Sequence, residues 1–360
     1  MTDRSEQRAL LTEAIASQLR DMETSGLLRS ESERLERGEW PAQSWAQLEA
    51  SGLTSLLVPE NEGGFGGGWE EAGIALFLIG FHGVPLPIPE TMVARFLLSR
   101  AGIDAPPGPL AIAFAEPATP KKRAAGPARL SAAAAAVLWG GMVEHVVVVR
   151  YDRRACHIAL TRRSAFERVS SRNSVAREPI VDLRCRNAKI IAAAQLASDP
   201  FELGALARVA LMAGAANSVL QQSVQYANDR RQFGRPIGKF QVIQHALASL
   251  ASEAAAMHCA AIAACRATDR GDAHFEIAAA KLRANRAVST VTSIAHQVHG
   301  AIGFTAECRL HFATQRLWAW RSDYGNDRYW AAKLGDATLR HGSDRFWPHL
   351  TSLTDAQRQH

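Results

Sequence analysis

The stretch QYANDRRQFGRPIGKFQ, from Gln225 to Gln241, lies between two long helical patterns. The segment FELGALARVALMAGAANSVLQQSVQYAN ends within the first residues of this stretch. It is rich in Ala, Leu and Gln and contains no proline, which predicts one long helix. After it, KFQVIQHALASLASEAAAMHCAAIAACRATD has the same texture. The quoted stretch is therefore a basic turn, broken by Gly and Pro, between two antiparallel helices of a bundle.

The same helical texture continues towards the C-terminus. HFEIAAAKLRANRAVSTVTSIAHQVHG predicts a third helix, and a final one is expected from about Tyr324 to Gly342. We predict a four-helix-bundle domain over residues 199–360. Residues 1–108 are predicted to form an N-terminal α-helical domain, with helical spacing in RALLTEAIASQL and WAQLEASGL, a charged connection between them, and further helices from Trp69 and in TMVARFLLSRAGI.

The middle of the chain, residues 109–198, has a different composition. VEHVVVVRY and CHIALTRR are short runs rich in β-branched residues and bounded by turns, which predicts a small β domain. KKRAAGPARLSAAAAAV is of low complexity and is interpreted as irregular. The predicted fold class is α+β, mostly α.

Composition excludes several function classes. The formal net charge of +6 is spread over short, separate basic clusters, so no nucleic-acid surface is predicted, while a phosphate-bearing cofactor or coenzyme A is compatible. The five cysteines are scattered without zinc-site spacing, which favours a reduced, cytoplasmic setting. The N-terminus lacks the pattern of a secretory signal, and no apolar run is judged long enough to span a membrane.

Four segments are candidates for ligand chemistry. The glycine clusters at 63–64 and 66–68 either form a loop or cradle a phosphate at the helix that begins at Trp69. Arg230 and Arg231 either bind a pyrophosphate or interact with a helix dipole. In QVHGAIGFTAE, Gly300 permits close approach of a ligand to the backbone. RSDYGND, residues 321–327, holds either a catalytic carboxylate or an acidic helix start.

Three of these segments, in their order and spacing, resemble the acyl-CoA dehydrogenase family. The matching patterns are YAxxRxQFGxPIxxFQ, then QxHGxxGFT, then a turn before a helix; the pattern from Trp45 to Gly66 is similar to the family's N-terminal domain. The resemblance implies an FAD enzyme that removes an α-proton and a β-hydride from an acyl-CoA thioester. It also implies electron-transfer flavoprotein or a similar electron acceptor.

The resemblance also implies which residues meet FAD. A first group of residues would contact one end of the cofactor, which often belongs to the neighbouring subunit. A second group would contact the other end of the cofactor, and this group includes an alanine where the family has glycine. Asn326 falls where a Thr or Ser of the family touches the cofactor. The first group is Arg230, Phe233 and Gln241, and the second is Gln297, Gly300 and Ala301. In the middle domain, AEPATP at 115–120 and WGG at 139–141 keep only part of the family's flavin-facing segments.

The departure from the family lies at its catalytic base. The usual glutamate falls on Tyr324, and the alternative position used by some members falls on Gly204, so neither position carries a carboxylate. A tyrosine with an ordinary pKa near 10 is a poor base at neutral pH. Asp323, one residue away, and Glu202, two residues from the alternative position, are the nearest carboxylates in sequence.

Three hypotheses follow from this departure. In the first, the chain is a self-sufficient dehydrogenase that uses Asp323 as its base. In the second, which we favour, it is one subunit of a hetero-oligomer in which a paralogous acyl-CoA dehydrogenase supplies the base, as in bacterial members that degrade steroids and other bulky acids. As to assembly in general, the resemblance implies a homo- or hetero-oligomer. In the third, it is a flavin monooxygenase or a catalytically silent structural subunit of the same fold.

Overall fold

The computed structural model describes residues 4–116, 129–152, 155–305 and 307–355, and helices dominate both ends of the chain. The N-terminal helices are α1 (Arg4–Thr24), α2 (Leu27–Glu36), α3 (Ala42–Ala50), α4 (Trp69–His82) and α5 (Ile88–Arg100). The predicted charged connection is wrong, because α2 occupies it. Leu28, Glu31 and Leu35 are buried at spacings of three and four residues, so a single face of this polar helix enters the core.

Two sheets form the middle of the chain. The strands are β1 (Leu110–Phe114), β2 (Arg129–Leu138), β3 (His145–Tyr151), β4 (Cys156–Arg162), β5 (Glu167–Asn173), β6 (Pro179–Lys189) and β7 (Ala192–Leu196). Their orders are β1-β3-β4-β7 and β2-β6-β5, and only the β1-β3 pairing within these sheets is parallel. The described part of the segment predicted to be irregular is the strand β2, so that prediction is wrong, although the pairing of β2 with β6 contains two register shifts. Leu130, Ala132 and Ala134 alternate inward against β6.

The first sheet is buried on both faces. Leu110, Val147 and Ile158 belong to the large core that also holds α1, α4, α5 and the C-terminal helices. Ala111 and Val148 face the second sheet in a separate core. This arrangement seats the strands directly on the helices that carry the candidate site.

The C-terminal part contains α6 (Pro200–Asp229), α7 (Gln241–Arg270), α8 (His274–His299), α9 (Leu310–Trp320), α10 (Asp327–His341) and α11 (Ser343–Asp355). A hairpin of two short strands, β8 (Arg231–Gln232) and β9 (Arg235–Pro236), joins α6 to α7. The α+β, mostly α fold class is confirmed. The last predicted helix begins at Asp327 rather than at about Tyr324, because Tyr324 and Gly325 have positive φ angles.

The glycine clusters before α4 form a loop, and the phosphate-cradle interpretation is wrong. A carboxylate of this chain already occupies the N-terminus of α4: Asp269 accepts hydrogen bonds from the backbone N–H groups of Trp69 at 2.7 Å and Glu70 at 3.0 Å. The carboxylate of Asp269 therefore caps α4 and interacts favourably with the positive end of the helix dipole.

Two helices, α6 and α7, are long and apolar enough by length and composition alone to cross a membrane, so the judgement that no run approaches that length is wrong. The apolar window of α6 is 83% buried inside the protein, as expected for a core helix. The corresponding window of α7 is only 22% buried. α7 therefore presents a largely uncovered apolar face.

Candidate functional site

The segment from Arg321 to Asn326, here called the Tyr324 turn, links α9 to α10. Tyr324 has φ 51° and Gly325 has φ 99°, and a positive φ is unfavourable for a bulky residue such as tyrosine. The turn is fixed from α10, because the indole Nε1 of the buried Trp330 donates to the carbonyl oxygen of Tyr324 at 2.9 Å.

A buried lysine on α8 holds the other side of the turn. Nζ of Lys281 donates to the carbonyl oxygens of Trp320 at 3.1 Å, Arg321 at 3.2 Å and Gly325 at 3.4 Å. Nδ2 of Asn285 donates to the same Gly325 oxygen at 3.2 Å. Burial lowers the pKa of Lys281 to about 7. These contacts give the strained turn a single conformation.

The side chain of Tyr324 fills the place where a catalytic base is expected. A methyl group built on Gly204 would lie 2.6 Å from Cζ of the Tyr324 ring, so the two positions at which the resemblance predicts the base are in contact. Phe114 and Phe201 pack edge-on against the ring, each with 5.9 Å between centroids. Burial, together with the charge of Glu90, raises the pKa of Tyr324, so it stays protonated at neutral pH.

Asp323 is engaged by a buried arginine. Nε of Arg208 on α6 donates to Oδ2 of Asp323 at 3.0 Å, and Nη2 of Arg208 pairs with Glu90 on α5. Only 2% of Arg208 is exposed. Burial raises the pKa values of both carboxyl groups although Arg208 opposes the shift. The carboxylate nearest in sequence to the expected base is thus bound to a cation.

A fourth member of this group comes from the strand region. Glu178, which immediately precedes β6, is buried and accepts hydrogen bonds from Nε1 of Trp320 at 3.1 and 3.2 Å. Burial raises the pKa of Glu178 to about 7, against the charges of Arg208 and Arg316. Arg208, Glu90, Asp323 and Glu178 are called the Arg208 cluster below. This cluster was not predicted from the sequence, although the lone arginine within the apolar run ALARVALMAG indicates a buried charge.

Glu202, the other carboxylate near an expected base position, is also engaged. It is buried, and its two oxygens contact His274 at the start of α8 and Lys333 on α10, the latter at 3.2 Å. These contacts tie together three helices around the N-terminal end of α6. Among the described residues, no group of three or more His, Cys, Asp or Glu side chains is placed to bind a metal ion, and all five cysteines are free.

The first predicted cofactor group lies on the surface at the start of α7. Arg230 and Gln241 are exposed, and Phe233 at the tip of the β8-β9 hairpin is 91% exposed with φ 51°. The base of the hairpin is anchored by a small core that contains Ile237 and Val298. The hairpin therefore presents an aromatic ring to the outside on a fixed support.

The second predicted group borders an open groove of about 610 Å³ at the end of α8. Gln297 and Gly300 line it together with His296 and Phe304, and Ala301 is exposed beside it. Gly300 has φ 62°, and no atom lies within 4 Å of the position that its Cβ would take. In the described structure, the buried Nδ1 of His296 has no hydrogen-bond partner. The accessible backbone at Gly300 and the exposed amide of Gln297 fit the polar end of a dinucleotide.

Asn326 lies apart from these two groups. Its Oδ1 accepts from the backbone N–H of Tyr329 at 3.1 Å and caps α10, so this oxygen is already used. Asn285, which contacts the Tyr324 turn, precedes Gln297 by twelve residues of α8. At 1.5 Å per residue, Asn285 and Gln297 are about 18 Å apart along the helix, and the lining of the groove extends back to Ser289.

Comparisons with known proteins agree with this architecture. The model of the acyl-CoA dehydrogenase C-terminal domain matches residues 194–321. The acyl-CoA dehydrogenase IpdE2 of Mycobacterium tuberculosis is 31% identical over 314 residues, which cover 86% of this chain and 91% of that protein.

Two solved structures share the fold. The first is a chain of the ChsE4-ChsE5 complex of Mycobacterium tuberculosis, with a TM-score of 0.80 and 20% identity over 92% of this chain and 98% of that one. The second is a chain of the Tcur3481-Tcur3483 steroid ACAD, with a TM-score of 0.80 and 21% identity over 92% of this chain and 97% of that one.

Proposed function

The chain belongs to the acyl-CoA dehydrogenase family, and we propose that it is one subunit of a hetero-oligomeric, FAD-dependent dehydrogenase of acyl-CoA thioesters whose paralogous partner supplies the catalytic base. The contact between Tyr324 and Gly204 is the observation that carries this proposal. Both positions that provide a base in the family are occupied here by one aromatic ring and the glycine beneath it.

The self-sufficient alternative with Asp323 as base is not supported by the contacts of that residue. A general base must lie within hydrogen-bond reach of the substrate proton, and the ring of Tyr324 fills the expected base position. Oδ2 of Asp323 accepts from Arg208, and the same guanidinium is bound to Glu90. Freeing Asp323 would leave a buried guanidinium with one carboxylate fewer, which is energetically costly.

Other residues of this chain fit a role in cofactor binding. FAD supplies a hydride acceptor when it is bound. Gln297 and the open backbone at Gly300 would hold its polar end, and the ring of Phe233 would stack on an exposed part of it. Because these residues are exposed at the surface, we infer that they serve a flavin shared with another chain.

The surface of α7 supports assembly with a second chain. Val242 is 73% exposed and Ile262 is 39% exposed, and small side chains at Ala248, Ala255 and Cys259 lie exposed between them. Small residues permit close packing of another helix, and a large uncovered apolar face marks an interaction surface. The face begins at Gln241, beside the hairpin of Phe233, so a partner docked along α7 would also cover the proposed flavin contacts.

The proposed substrate class is a bulky acyl-CoA, such as one derived from a steroid. It rests on the similarity to a steroid acyl-CoA dehydrogenase and to a chain that forms a complex with a second, differently named chain. Electron-transfer flavoprotein as acceptor and a cytoplasmic location stay predictions.

Co-expression tests the proposed assembly. The chain is purified alone and together with a paralogous acyl-CoA dehydrogenase of its own organism that carries the family glutamate. We expect a stable complex by size-exclusion chromatography with light scattering, and flavin absorbance that is several-fold higher in the complex than in the chain alone. The proposal would be contradicted if the chain were a monomer or homo-oligomer that carries stoichiometric FAD and forms no complex with any such paralogue.

A further inference from the structure

A second cavity, of about 570 Å³, lies apart from the Tyr324 turn and from the Gln297 groove. It is enclosed by α1, α2, α4, the second half of α6, and α9. Its volume is within the range of small-molecule sites, which is about 300–1,000 Å³. None of the residues predicted to contact FAD or substrate lines it.

One wall of this cavity is apolar and aromatic. Phe77 and Phe81 stack on each other along α4 with 6.4 Å between ring centroids, and Phe312 of α9 and Leu28 of α2 line the same space. These side chains suit the body of an apolar molecule. An apolar wall alone does not indicate the chemical class of a ligand, so the polar side chains of the cavity must indicate it.

Most of the charged side chains that line the cavity are already paired. Four arginines and two glutamates line the cavity, namely Arg20, Arg29, Arg309, Arg316, Glu23 and Glu307. Glu23 is already neutralised, because it contacts both Nδ1 of His82 at 2.7 Å and the guanidinium of Arg309. Arg20 pairs with Glu13 outside the cavity at 2.6 Å. Arg29 pairs with Glu33 at 3.3 Å, and Glu307 is exposed, so among the described residues of the lining Arg316 is the buried cation that forms no ion pair.

Arg316 is a buried cation without a matched anion. It is only 6% exposed, and in the described ranges its Nε has no hydrogen-bond partner and its guanidinium forms no ion pair within 4.0 Å. Burial lowers the pKa of Arg316, with Glu178 acting in the opposite direction from a greater distance. An arginine stays protonated in proteins, so this charge remains buried and only partly compensated. Its fork of N–H donors matches a carboxylate or phosphate group.

Position 83 supports the placement of this guanidinium. A Cβ at Gly83 would lie 2.9 Å from Nη1 of Arg316, so the end of α4 leaves room for the arginine head by carrying glycine. Gly83 also has φ 62°, which ends α4 in the left-handed conformation. The arginine is therefore held at the wall where α4 and α9 meet.

We propose that this cavity binds an amphipathic anion, with its acidic head on Arg316 and its apolar body between Phe77, Phe81 and Phe312. The site is independent of the proposed flavin and base positions. Its ligand would supply the counter-charge that Arg316 lacks within the described fold, and it would cover the aromatic wall.

Isothermal titration calorimetry of the full chain with decanoate below its micellar concentration tests the site, with decan-1-ol as the uncharged probe of equal length. We expect decanoate to bind wild-type protein at least about 10-fold more tightly than decan-1-ol, because one charge-assisted hydrogen-bonded pair contributes about that much. Arg316→Gln should remove this preference and leave decan-1-ol binding unchanged. Arg340→Gln, which removes an equal charge from the exposed face of α10, should change neither affinity.

A second variant keeps the test decisive if Arg316→Gln fails to fold. Ser218→Phe on the half-buried wall of α6 would fill the cavity while Arg316 stays in place, and it should abolish binding of both probes. Equal affinity of wild-type protein for decanoate and decan-1-ol, or unchanged decanoate binding by Ser218→Phe, would overturn the proposal. Since neither FAD nor a partner chain is needed, this result is separate from the outcome for the proposed function.

Discussion

The ring of Tyr324 covers Gly204, so that a methyl group at position 204 would lie 2.6 Å from the ring carbon Cζ. Replacing glycine by alanine inside a helix normally stabilises a protein by about 1 kcal/mol. We expect Gly204→Ala instead to lower the free energy of unfolding by about 1–3 kcal/mol, because the buried ring must move. Urea denaturation followed by circular dichroism measures the change.

Gly335 provides the matched control for this variant. It lies on α10 with no atom within 4 Å of its Cβ position, so Gly335→Ala should raise the free energy of unfolding by up to about 1 kcal/mol. If the two alanine variants were equally stabilising, Tyr324 could not occupy the space over Gly204.

Loss of the cation from the Arg208 cluster should strongly lower the stability of the protein. Arg208→Met leaves Glu90, Asp323 and Glu178 without their shared counter-charge, and we expect it to lower the free energy of unfolding by about 3–5 kcal/mol. Adding Glu90→Gln to Arg208→Met should recover part of this loss, because one uncompensated carboxyl group is removed. A double variant no more stable than Arg208→Met would show that the pairing contributes little. Chemical denaturation of both variants provides the measurement.

The raised pKa of Glu178 leads us to expect a particular dependence of the free energy of unfolding on pH. Its pKa is about 7 in the fold and 4.5 ordinarily, so between those values the unfolded chain loses a proton that the folded chain keeps. The contribution of Glu178 to stability therefore falls as pH rises from 4.5 to 7 and is constant above 7.

Glu178→Gln removes this titration but keeps an acceptor for Trp320. We expect wild-type protein to lose stability relative to Glu178→Gln across that pH window, as measured by urea denaturation at several pH values. Glu167→Gln, at an exposed position, should retain the wild-type slope. A slope unchanged by Glu178→Gln would rule out this titration.

Phe233 should matter for flavin content rather than for folding. Its ring is 91% exposed, so Phe233→Ala should change the free energy of unfolding of the isolated chain by no more than about 0.5 kcal/mol. In the assembled protein, we expect the variant to lower the FAD-to-protein absorbance ratio several-fold. Leu339→Ala, which truncates an 81% exposed side chain on α10, is the control and should leave the ratio unchanged. Equal flavin content in both variants would exclude a flavin contact by Phe233.

The sequence predicted features that are local and missed those that depend on distant contacts. The turn around Phe233, the long helices and the strands β3 and β4 follow from periodicity and turn residues that are adjacent in the chain. The Arg208 cluster joins residues spread from position 90 to position 323, so no spacing rule locates it. The charged composition of α2 led to the prediction of a connection, whereas the segment is a helix with one buried face. Likewise, the alanine run of β2 became a strand because β6 pairs with it.

The central proposal, that this chain lacks a working base of its own, is tested most directly by anaerobic titration with a bulky acyl-CoA. The flavin absorbance of the reconstituted chain alone is compared with that of the complex with its paralogue. We expect no bleaching by the chain alone and full bleaching by the complex, with Asp323→Asn in this chain leaving the bleaching of the complex unchanged. Bleaching of the isolated chain that Asp323→Asn abolishes would contradict the proposal and assign the base to Asp323.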